Sequence, residues 1–283
     1  MKTTTRQRMS LVVKSPCKVN LLLNVLGRRA DGFHEVETIL QPVPLFDELR
    51  IEKTGAGLEL SCSDSRLSVG EDNLVHRAAK AFLKKVESGG AEIHLQKNLP
   101  LAAGIGAGSS NAAWTLRGLN ELFENPLSAE QLQELAADLG SDVPFFLQDN
   151  PALATGRGEI IVPAESPPPY KVVLFKPQFS VPTPDAYRKC LDADSVPGIN
   201  YEPQTHESLT LVNDLEKPVF AKHRYLAELK HWLSNRRDTQ AVLMSGSGST
   251  IFAILHRRAK PIVLINSAHR HFDENLWTWS GTL

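Results

Sequence analysis

The feature that most constrains the fold is a glycine-rich segment between a strand pattern and a helix pattern. Ala91–Gln96 alternates apolar and polar residues, which is typical of a β-strand. Glycines follow at positions 104, 106 and 108, and from about Ser109 to Phe123 apolar residues recur at helical spacing. Glycine permits positive φ and a close approach of backbone to ligand, and a helix start offers unpaired N–H groups. The segment therefore predicts an anion-binding loop.

This loop differs from the common nucleotide-binding motifs. No Gly-Lys-Ser/Thr follows it, as a P-loop would require, and its glycine spacing is not G-x-G-x-x-G. The hydroxyls of Ser109 and Ser110 are suited to bond phosphate or a Mg²⁺-bound water. The glycine spacing alone leaves a second interpretation open, a flexible turn capped by serine.

Length and composition indicate a globular protein of two domains. The chain has 283 residues, of which 42% are apolar and 22% are charged, and a single core tends to split at this size. The segment Pro163–Pro169 holds four prolines and is the predicted boundary, which gives domains at residues 1–163 and 164–283. A net charge of −1 and the lack of an apolar run of ~20 residues argue against nucleic-acid or membrane partners.

Cysteine usage and the first residues predict a cytoplasmic protein. Cys17, Cys62 and Cys190 are scattered and match neither a disulfide framework nor a zinc motif. Met1–Ser10 is basic and rich in threonine, but no apolar run of signal-peptide length follows it. We therefore expect a reducing compartment.

Local patterns predict most of the remaining elements. Asp72 is expected to cap a helix over Asn73–Val86, and Ser128 with Gln131 forms a capping-box pair. Predicted strands lie at Leu11–Val13, Val19–Leu26, His34–Gln41, Lys171–Phe175, Ala241–Met244, Thr250–Leu255 and Ile262–Ile265, and further helices begin at Pro144, at Thr183 (towards Leu191) and at Tyr225 (to Asn235).

Three segments together resemble the GHMP kinase superfamily. They are Ser15–Leu21 with Gly27–His34, Pro100–Ala113, and Leu243–Ser249, and Glu71–Leu74 and Gly140–Pro144 agree with them. The match runs from about residue 10 to residue 255. Within the superfamily, the string from Arg29 to His34 resembles the 4-diphosphocytidyl-2-C-methyl-D-erythritol kinase family.

The resemblance implies an α+β, two-domain GHMP kinase fold. Its N-terminal domain would resemble ribosomal protein S5 domain 2, and its C-terminal domain would be ferredoxin-like. ATP would be the co-substrate, with Mg²⁺ bridging the β- and γ-phosphates. Asn73 falls in a segment that the family uses near the adenine. The remaining ATP-binding residues implied are Pro100, Leu101, Ala102, Ala103, Gly104, Ile105, Gly106, Ala107, Gly108, Ser109 and Ser110, and each alanine among them is expected at negative φ.

Two residues match the family's catalytic positions. Asp142 matches the catalytic aspartate, which would orient the attacking hydroxyl and accept its proton. Lys18 matches the catalytic lysine, which would offset negative charge in the transition state. Without the resemblance, Asp142 is better explained as a helix N-cap, and Lys18 is equally well explained as a solvent-facing lysine at a strand end.

The resemblance also implies a small-molecule substrate, a cytidine diphosphate that carries a methylerythritol. Phe33, His34 and Tyr187 would recognise the cytosine by stacking and by polar contact with its edge. The family usually has tyrosine at position 33, so phenylalanine keeps the stacking face and loses a hydroxyl. Asn20 and Thr183 match polar positions near the erythritol and phosphates, although Thr183 is also a good helix cap.

The expected reaction is ATP-dependent phosphorylation of the substrate's 2-hydroxyl, in the non-mevalonate route to isoprenoid precursors. A homoserine- or mevalonate-type kinase of the same superfamily is the main alternative, and a non-catalytic nucleotide-binding module is the second. The pair His269 and His271 lacks a third ligand at suitable spacing, so no metal site is expected there. A monomer and a homodimer are both compatible with the sequence.

Overall fold

A computed structural model of the protein describes residues 9–207 and 209–283, and the basic segment before residue 9 lies outside them. The strands are β1 Ser10–Arg28, β2 His34–Thr54, β3 Leu58–Cys62, β4 Gly90–Gln96, β5 Ala152–Thr155, β6 Ile160–Pro163, β7 Lys171–Lys176, β8 Gln204–His206, β9 Leu209–Asn213, β10 Thr239–Met244, β11 Ile251–Leu255 and β12 Trp277–Thr282. The helices are α1 Leu74–Val86, α2 Ala107–Leu122, α3 Ala129–Leu139, α4 Thr183–Arg188, α5 Glu216–Lys222, α6 Arg224–Ser234 and α7 Pro261–His271, with a 3₁₀ turn at Pro144–Leu147.

The chain forms two compact units, and each is built from several stretches of sequence. The first unit takes the chain up to Pro16, Leu45–Leu99 and Gly108–Gln148. The second takes Cys17–Pro44, Pro100–Ala107 and Asp149–Leu283. The predicted domain division at residues 163 and 164 stays a prediction.

The first unit pairs short strands with the later part of β2. β4 runs antiparallel to β2 from Glu48↔Gln96 to Thr54↔Gly90, and parallel to β3. Helix α2 approaches this sheet closely, since a Cβ at Gly118 would lie 2.6 Å from the Ile51 side chain. The predicted order of strand, glycine loop and helix is confirmed, with α2 beginning two residues before Ser109.

Helix caps in the first unit correct one prediction and confirm another. Asn73, not Asp72, is the N-cap of α1, because its side-chain oxygen accepts from the Val75 N–H at 2.8 Å. Asp72 instead accepts from the Ser68 hydroxyl. The capping box of Ser128 and Gln131 is present as predicted.

A buried carboxylate, Asp47, organises the chain where β4 ends. It accepts hydrogen bonds from the backbone N–H groups of Asn98 at 2.7 Å and Leu99 at 2.9 Å, and from the Asn111 side chain at 3.0 Å. It also forms an ion pair with Lys97, whose side chain is likewise buried. The carboxylate therefore ties the residues that lead into the glycine loop to helix α2.

The substitution Asp47→Ala should lower the free energy of unfolding by about 3–5 kcal/mol, because it leaves the buried Lys97 ammonium without its carboxylate. Urea denaturation followed by circular dichroism measures the change. The matched control is Glu71→Gln, which breaks the exposed Glu71–Lys80 pair and should leave stability unchanged within error. Equal losses in the two variants would contradict this account of Asp47.

The second unit contains an antiparallel sheet in the order β10-β11-β7-β12. Its core includes Phe175, Phe220 and Val242, together with the buried faces of α5 and α6. In the same unit, β1 pairs with β9 in parallel, at Leu22↔Val212 and Leu23↔Asn213, and β2 pairs with β5. This pairing places the end of β9 beside the strand that carries Lys18.

Three element predictions need correction. Ile262–Ile265 is part of helix α7, because Leu264 and Ala268 are buried one turn apart while Ile262 and Val263 remain 59% and 50% exposed. The predicted strands at Leu11–Val13 and Val19–Leu26 are one continuous strand, β1. The helix predicted from Thr183 to Leu191 ends at Arg188. Among the described residues, no helix has the length and apolar character needed to cross a membrane.

Candidate active site

The candidate site is organised around the ammonium group of Lys18 on β1. The residue is only 3% exposed, and its Nζ donates to the Asn20 side-chain oxygen at 2.6 Å and to the Gly104 carbonyl at 3.3 Å. Its backbone N–H donates to the Ile105 carbonyl at 2.9 Å. The strand residues around Lys18 and part of the glycine loop thus meet within the second unit. The alternative in which Lys18 faces solvent is wrong.

Asn20 is oriented by a residue that the sequence analysis missed. Its Nδ2 donates to the Thr38 hydroxyl at 2.8 Å, and that hydroxyl donates to the Leu22 carbonyl at 2.6 Å. Because the amide nitrogen is engaged on one side, the amide oxygen faces Lys18. No motif marks Thr38, since its contact with Asn20 depends on how the neighbouring strands β1 and β2 lie against each other in the sheet.

The last of the three segments that resemble the GHMP kinases, Leu243–Ser249 (the third glycine segment), joins the same group. The Ser245 hydroxyl donates to the Gly104 carbonyl at 2.9 Å, and the Thr250 N–H donates to the Ala103 carbonyl at 3.2 Å. A Cβ at Gly246 would lie 3.3 Å from the Asn20 oxygen and 3.4 Å from Lys18 Nζ. Glycine at this position therefore lets the backbone lie close against the lysine.

The backbone conformation of the glycine loop, Pro100–Ser110, differs from the prediction at one alanine. Gly104 and Gly106 adopt φ of +74° and +70°, as a converging N–H loop requires. Ala102 also adopts positive φ, +48°, so the expectation of negative φ at every alanine is wrong. A non-glycine residue in this region carries local strain, which is often found at ligand sites.

Two of the predicted base-recognition residues lie together. The rings of His34 and Tyr187 have centroids 5.3 Å apart and are tilted by 31°. Phe33 is 51% exposed, and the Arg157 guanidinium lies 4.9 Å from the centre of its ring. Arg157 was not predicted, because it lies in the turn between β5 and β6, which has no recognisable motif.

Thr183 does not act as a helix cap. Pro182 is the N-cap of α4 and makes no side-chain cap bond. The Thr183 hydroxyl instead lies 3.0 Å from the Ser247 hydroxyl, which connects α4 to the third glycine segment. The capping alternative for Thr183 is therefore wrong.

Asp142, Asn73 and the loop residues from Gly108 to Ser110 belong to the first unit, whereas Pro100–Ala107 belongs to the second. Asp142 is half-buried in the turn between α3 and the 3₁₀ turn, whose N-cap is Val143, so Asp142 is not the cap. The side chain of Asn73 is engaged at both ends, by Val75 and by the Ser68 carbonyl. The Ser110 hydroxyl is buried and accepts from Ser15 at 2.7 Å.

The two C-terminal histidines have ordinary contacts. His269 Nε2 lies 2.8 Å from the Leu276 carbonyl, and the His271 ring stacks on Trp232. Across residues 9–207 and 209–283, no group of three or more His, Cys, Asp or Glu side chains is arranged to hold a metal ion.

Comparison with known proteins identifies the family. The model of the GHMP kinases N terminal domain matches residues 73–150, and that of the GHMP kinases C terminal matches residues 203–274. A protein of Methylacidiphilum infernorum named 4-diphosphocytidyl-2-C-methyl-D-erythritol kinase is 40% identical over 268 residues, which cover 93% of each chain. The chain belongs to this family of GHMP kinases.

Other relatives agree with this kinase family. A protein of Desulfotalea psychrophila with the same name is 41% identical over 87% of this chain and 86% of its own. A crystal structure of 4-(cytidine 5'-diphospho)-2C-methyl-D-erythritol kinase matches with a TM-score of 0.76 at 35% identity, over 96% of this chain and 98% of that one. A homoserine kinase structure from Cytophaga hutchinsonii, at 18% identity and a TM-score of 0.65, shares the fold. The predicted two-domain α+β GHMP kinase fold is confirmed.

The substitution Gly104→Ala should lower the free energy of unfolding by about 2–5 kcal/mol, from overpacking and positive φ together. Its Cβ would lie 2.5 Å from the Ser245 carbonyl oxygen and 2.6 Å from that of Gly248. Chemical denaturation and equilibrium ATP binding measure the two consequences, lower stability and weaker binding.

Gly108→Ala provides the matched control in the same loop. Its Cβ would have only the Leu74 methyl, 3.7 Å away, within 4 Å. Alanine favours helix over glycine by about 1 kcal/mol, so stability should hold or rise. A stability loss as large as that of Gly104→Ala would contradict the packing argument.

Proposed function

We propose that this kinase transfers the γ-phosphoryl group of ATP to the 2-hydroxyl of 4-diphosphocytidyl-2-C-methyl-D-erythritol, giving the 2-phosphate and ADP. The observation that carries the proposal is 40% identity over 93% of the chain to a curated relative of that name. The group around Lys18 supports the proposal, because phosphoryl transfer needs a fixed positive charge to offset the charge of the transferred group. The reaction belongs to the non-mevalonate route to isoprenoid precursors.

ATP is the phosphoryl donor, and its phosphates are proposed to lie in the loop from Pro100 to Ser110. Two observations support this. Gly104 and Gly106 adopt positive φ, a conformation that lets successive N–H groups converge, and α2 starts at Ala107, where the first turn of a helix leaves N–H groups without intrahelical partners. Asn73 is proposed to lie near the adenine.

Mg²⁺ is proposed to accompany ATP. The donor set at the loop suits it, because Ser109 offers a hydroxyl oxygen in the first turn of α2 and Mg²⁺ prefers oxygen ligands. When bound, the ion would neutralise charge on the β- and γ-phosphates.

Lys18 is proposed to stabilise negative charge in the transition state. Its ammonium is buried and directed by Asn20 and Gly104, so its position is set before substrate binds. Asp142 is proposed to orient the 2-hydroxyl and to take its proton as the new P–O bond forms. The proton thus moves from the attacking oxygen to the carboxylate while the γ-phosphoryl group leaves ADP.

The cytosine of the substrate is proposed to be recognised by the aromatic group of Phe33, His34 and Tyr187. The tilted contact of His34 with Tyr187 forms an aromatic surface, and the half-exposed Phe33 offers a second. Asn20 and Thr183 are proposed to bind the erythritol and phosphate oxygens. A small alcohol such as homoserine or mevalonate has no ring to occupy such surfaces.

The rival functions have weaker support. The structures of homoserine and mevalonate kinases match at 18% and 11% identity, which supports a shared fold and no shared substrate. A non-catalytic module would have no need of a buried lysine directed by Asn20 and the Gly104 carbonyl. We further propose a cytoplasmic location, in keeping with the free thiols of Cys62 and Cys190, and a monomer or homodimer.

A coupled ADP-release assay tests the proposed substrate. The purified protein with Mg²⁺-ATP should release ADP with the cytidyl substrate and not with mevalonate or homoserine. A matched acceptor is 2-C-methyl-D-erythritol 4-phosphate, which keeps the hydroxyl and lacks the cytidine. It should react far more slowly, because binding energy from the base is used to position the hydroxyl.

Two results would overturn the assignment. Equal or faster turnover of mevalonate or homoserine would show another kinase of the superfamily. Equal turnover of the truncated acceptor would show that the aromatic group does not read the base.

A further inference from the structure

A buried asparagine outside the predicted site supports the third glycine segment. Asn213 is the last residue of β9 and is 3% exposed. It pairs with Leu23 of β1, the strand that carries Lys18 and Asn20. Its place in the sheet therefore puts it next to the strand that holds the lysine.

Both the amide nitrogen and the amide oxygen of the Asn213 side chain form hydrogen bonds within the protein. Its Nδ2 donates to the Met244 carbonyl at 2.7 Å and to the Gly246 carbonyl at 2.8 Å. Its Oδ1 accepts from the Leu215 N–H at 2.9 Å. One amide group thus bridges the start of α5 and the turn that follows β10.

Glu216 holds the same turn from a second direction. Its Oε1 accepts from the Met244 N–H at 2.9 Å, and its Oε2 pairs with the buried Lys230. Both polar backbone groups of Met244 are therefore engaged by side chains of residues 213 and 216. Such a double attachment restricts where the following residues, Ser245 and Gly246, can lie.

The restrained residues are those that contact the lysine group. Ser245 binds the Gly104 carbonyl, which also accepts from Lys18 Nζ. Gly246 packs so closely that a side-chain carbon there would lie within 3.4 Å of Lys18 Nζ. The path from Asn213 to the lysine therefore passes through one turn and consists of hydrogen bonds and close packing contacts.

We infer that Asn213 is a positioning residue for phosphoryl transfer, acting by holding the Met244–Gly246 turn against Lys18 and Gly104. The inference rests on the proposed function. Asparagine suits the role because one planar amide supplies two donors to the turn and one acceptor to Leu215. Aspartate keeps the shape and the acceptor and loses both donors.

The test compares Asn213→Asp and Asn213→Ala with a control at Asn120. Asn120 is also buried, donates to the Leu127 carbonyl at 3.1 Å and accepts from the Leu127 N–H at 3.0 Å, in the first unit. Asn120→Asp therefore removes the same kind of donor from the loop that follows α2, at the opposite end of that helix from the glycine loop. Thermal melting and steady-state kinetics of ADP release are measured for all variants, well below their melting temperatures.

A positioning role predicts a split between kcat and KM. The Asn213 variants should lose kcat by about 100-fold, as expected for a small misplacement of catalytic groups, with the KM for the cytidyl substrate unchanged within error. Asn120→Asp should lower the melting temperature and leave kcat unchanged. Folded Asn213 variants with wild-type kcat, or an equal loss of kcat in Asn120→Asp, would overturn the inference.

The remaining outcomes are also decisive. If neither Asn213 variant folds, the residue serves the fold and the positioning role is wrong. Wild-type protein assayed in parallel separates the two claims, because inactivity of the wild type towards the cytidyl substrate overturns the proposed function. Normal wild-type turnover with fully active Asn213 variants overturns the positioning role alone.

Discussion

A lysine ammonium buried to 3% exposure needs acceptors that are fixed in place, because removal of a charge from water is costly unless the protein replaces the lost solvation. The acceptors at Lys18 include the Asn20 side chain and the Gly104 carbonyl. Thr38 orients the first acceptor, and Ser245 binds the second. The requirements of one cation thus explain why segments far apart in sequence meet in the second unit.

Sequence predicted the parts of this arrangement that depend on local chemistry. The alternation of Ala91–Gln96 and the glycines that follow indicate a strand and a turn, whatever the rest of the chain does. The capping box also depends only on residues close in sequence, Ser128 and Gln131. The pairing of Lys18 with the glycine loop was expected only through family resemblance, since no local rule joins residues 86 positions apart.

The predictions that failed did so where long-range packing overrides local preference. The β-branched run near Ile262 favours a strand, yet burial of Leu264 and Ala268 on one face makes it a helix. Ala102 adopts positive φ against its own preference, just before two carbonyls, those of Ala103 and Ile105, that accept from the backbone N–H groups of Thr250 and Lys18. Thr38 and Asn213 carry no motif, because their roles follow from which strands lie next to β1.

The most direct test of the central claim is the rate of phosphoryl transfer in Lys18→Met, measured by rapid quench at saturating ATP and cytidyl substrate. Methionine retains much of the buried volume and removes the charge, so the variant should fold, bind ATP and transfer the phosphoryl group about 1,000-fold more slowly. Lys14→Ala, on the exposed face of the same strand, is the control and should transfer at the wild-type rate. A wild-type rate in folded Lys18→Met would contradict the account.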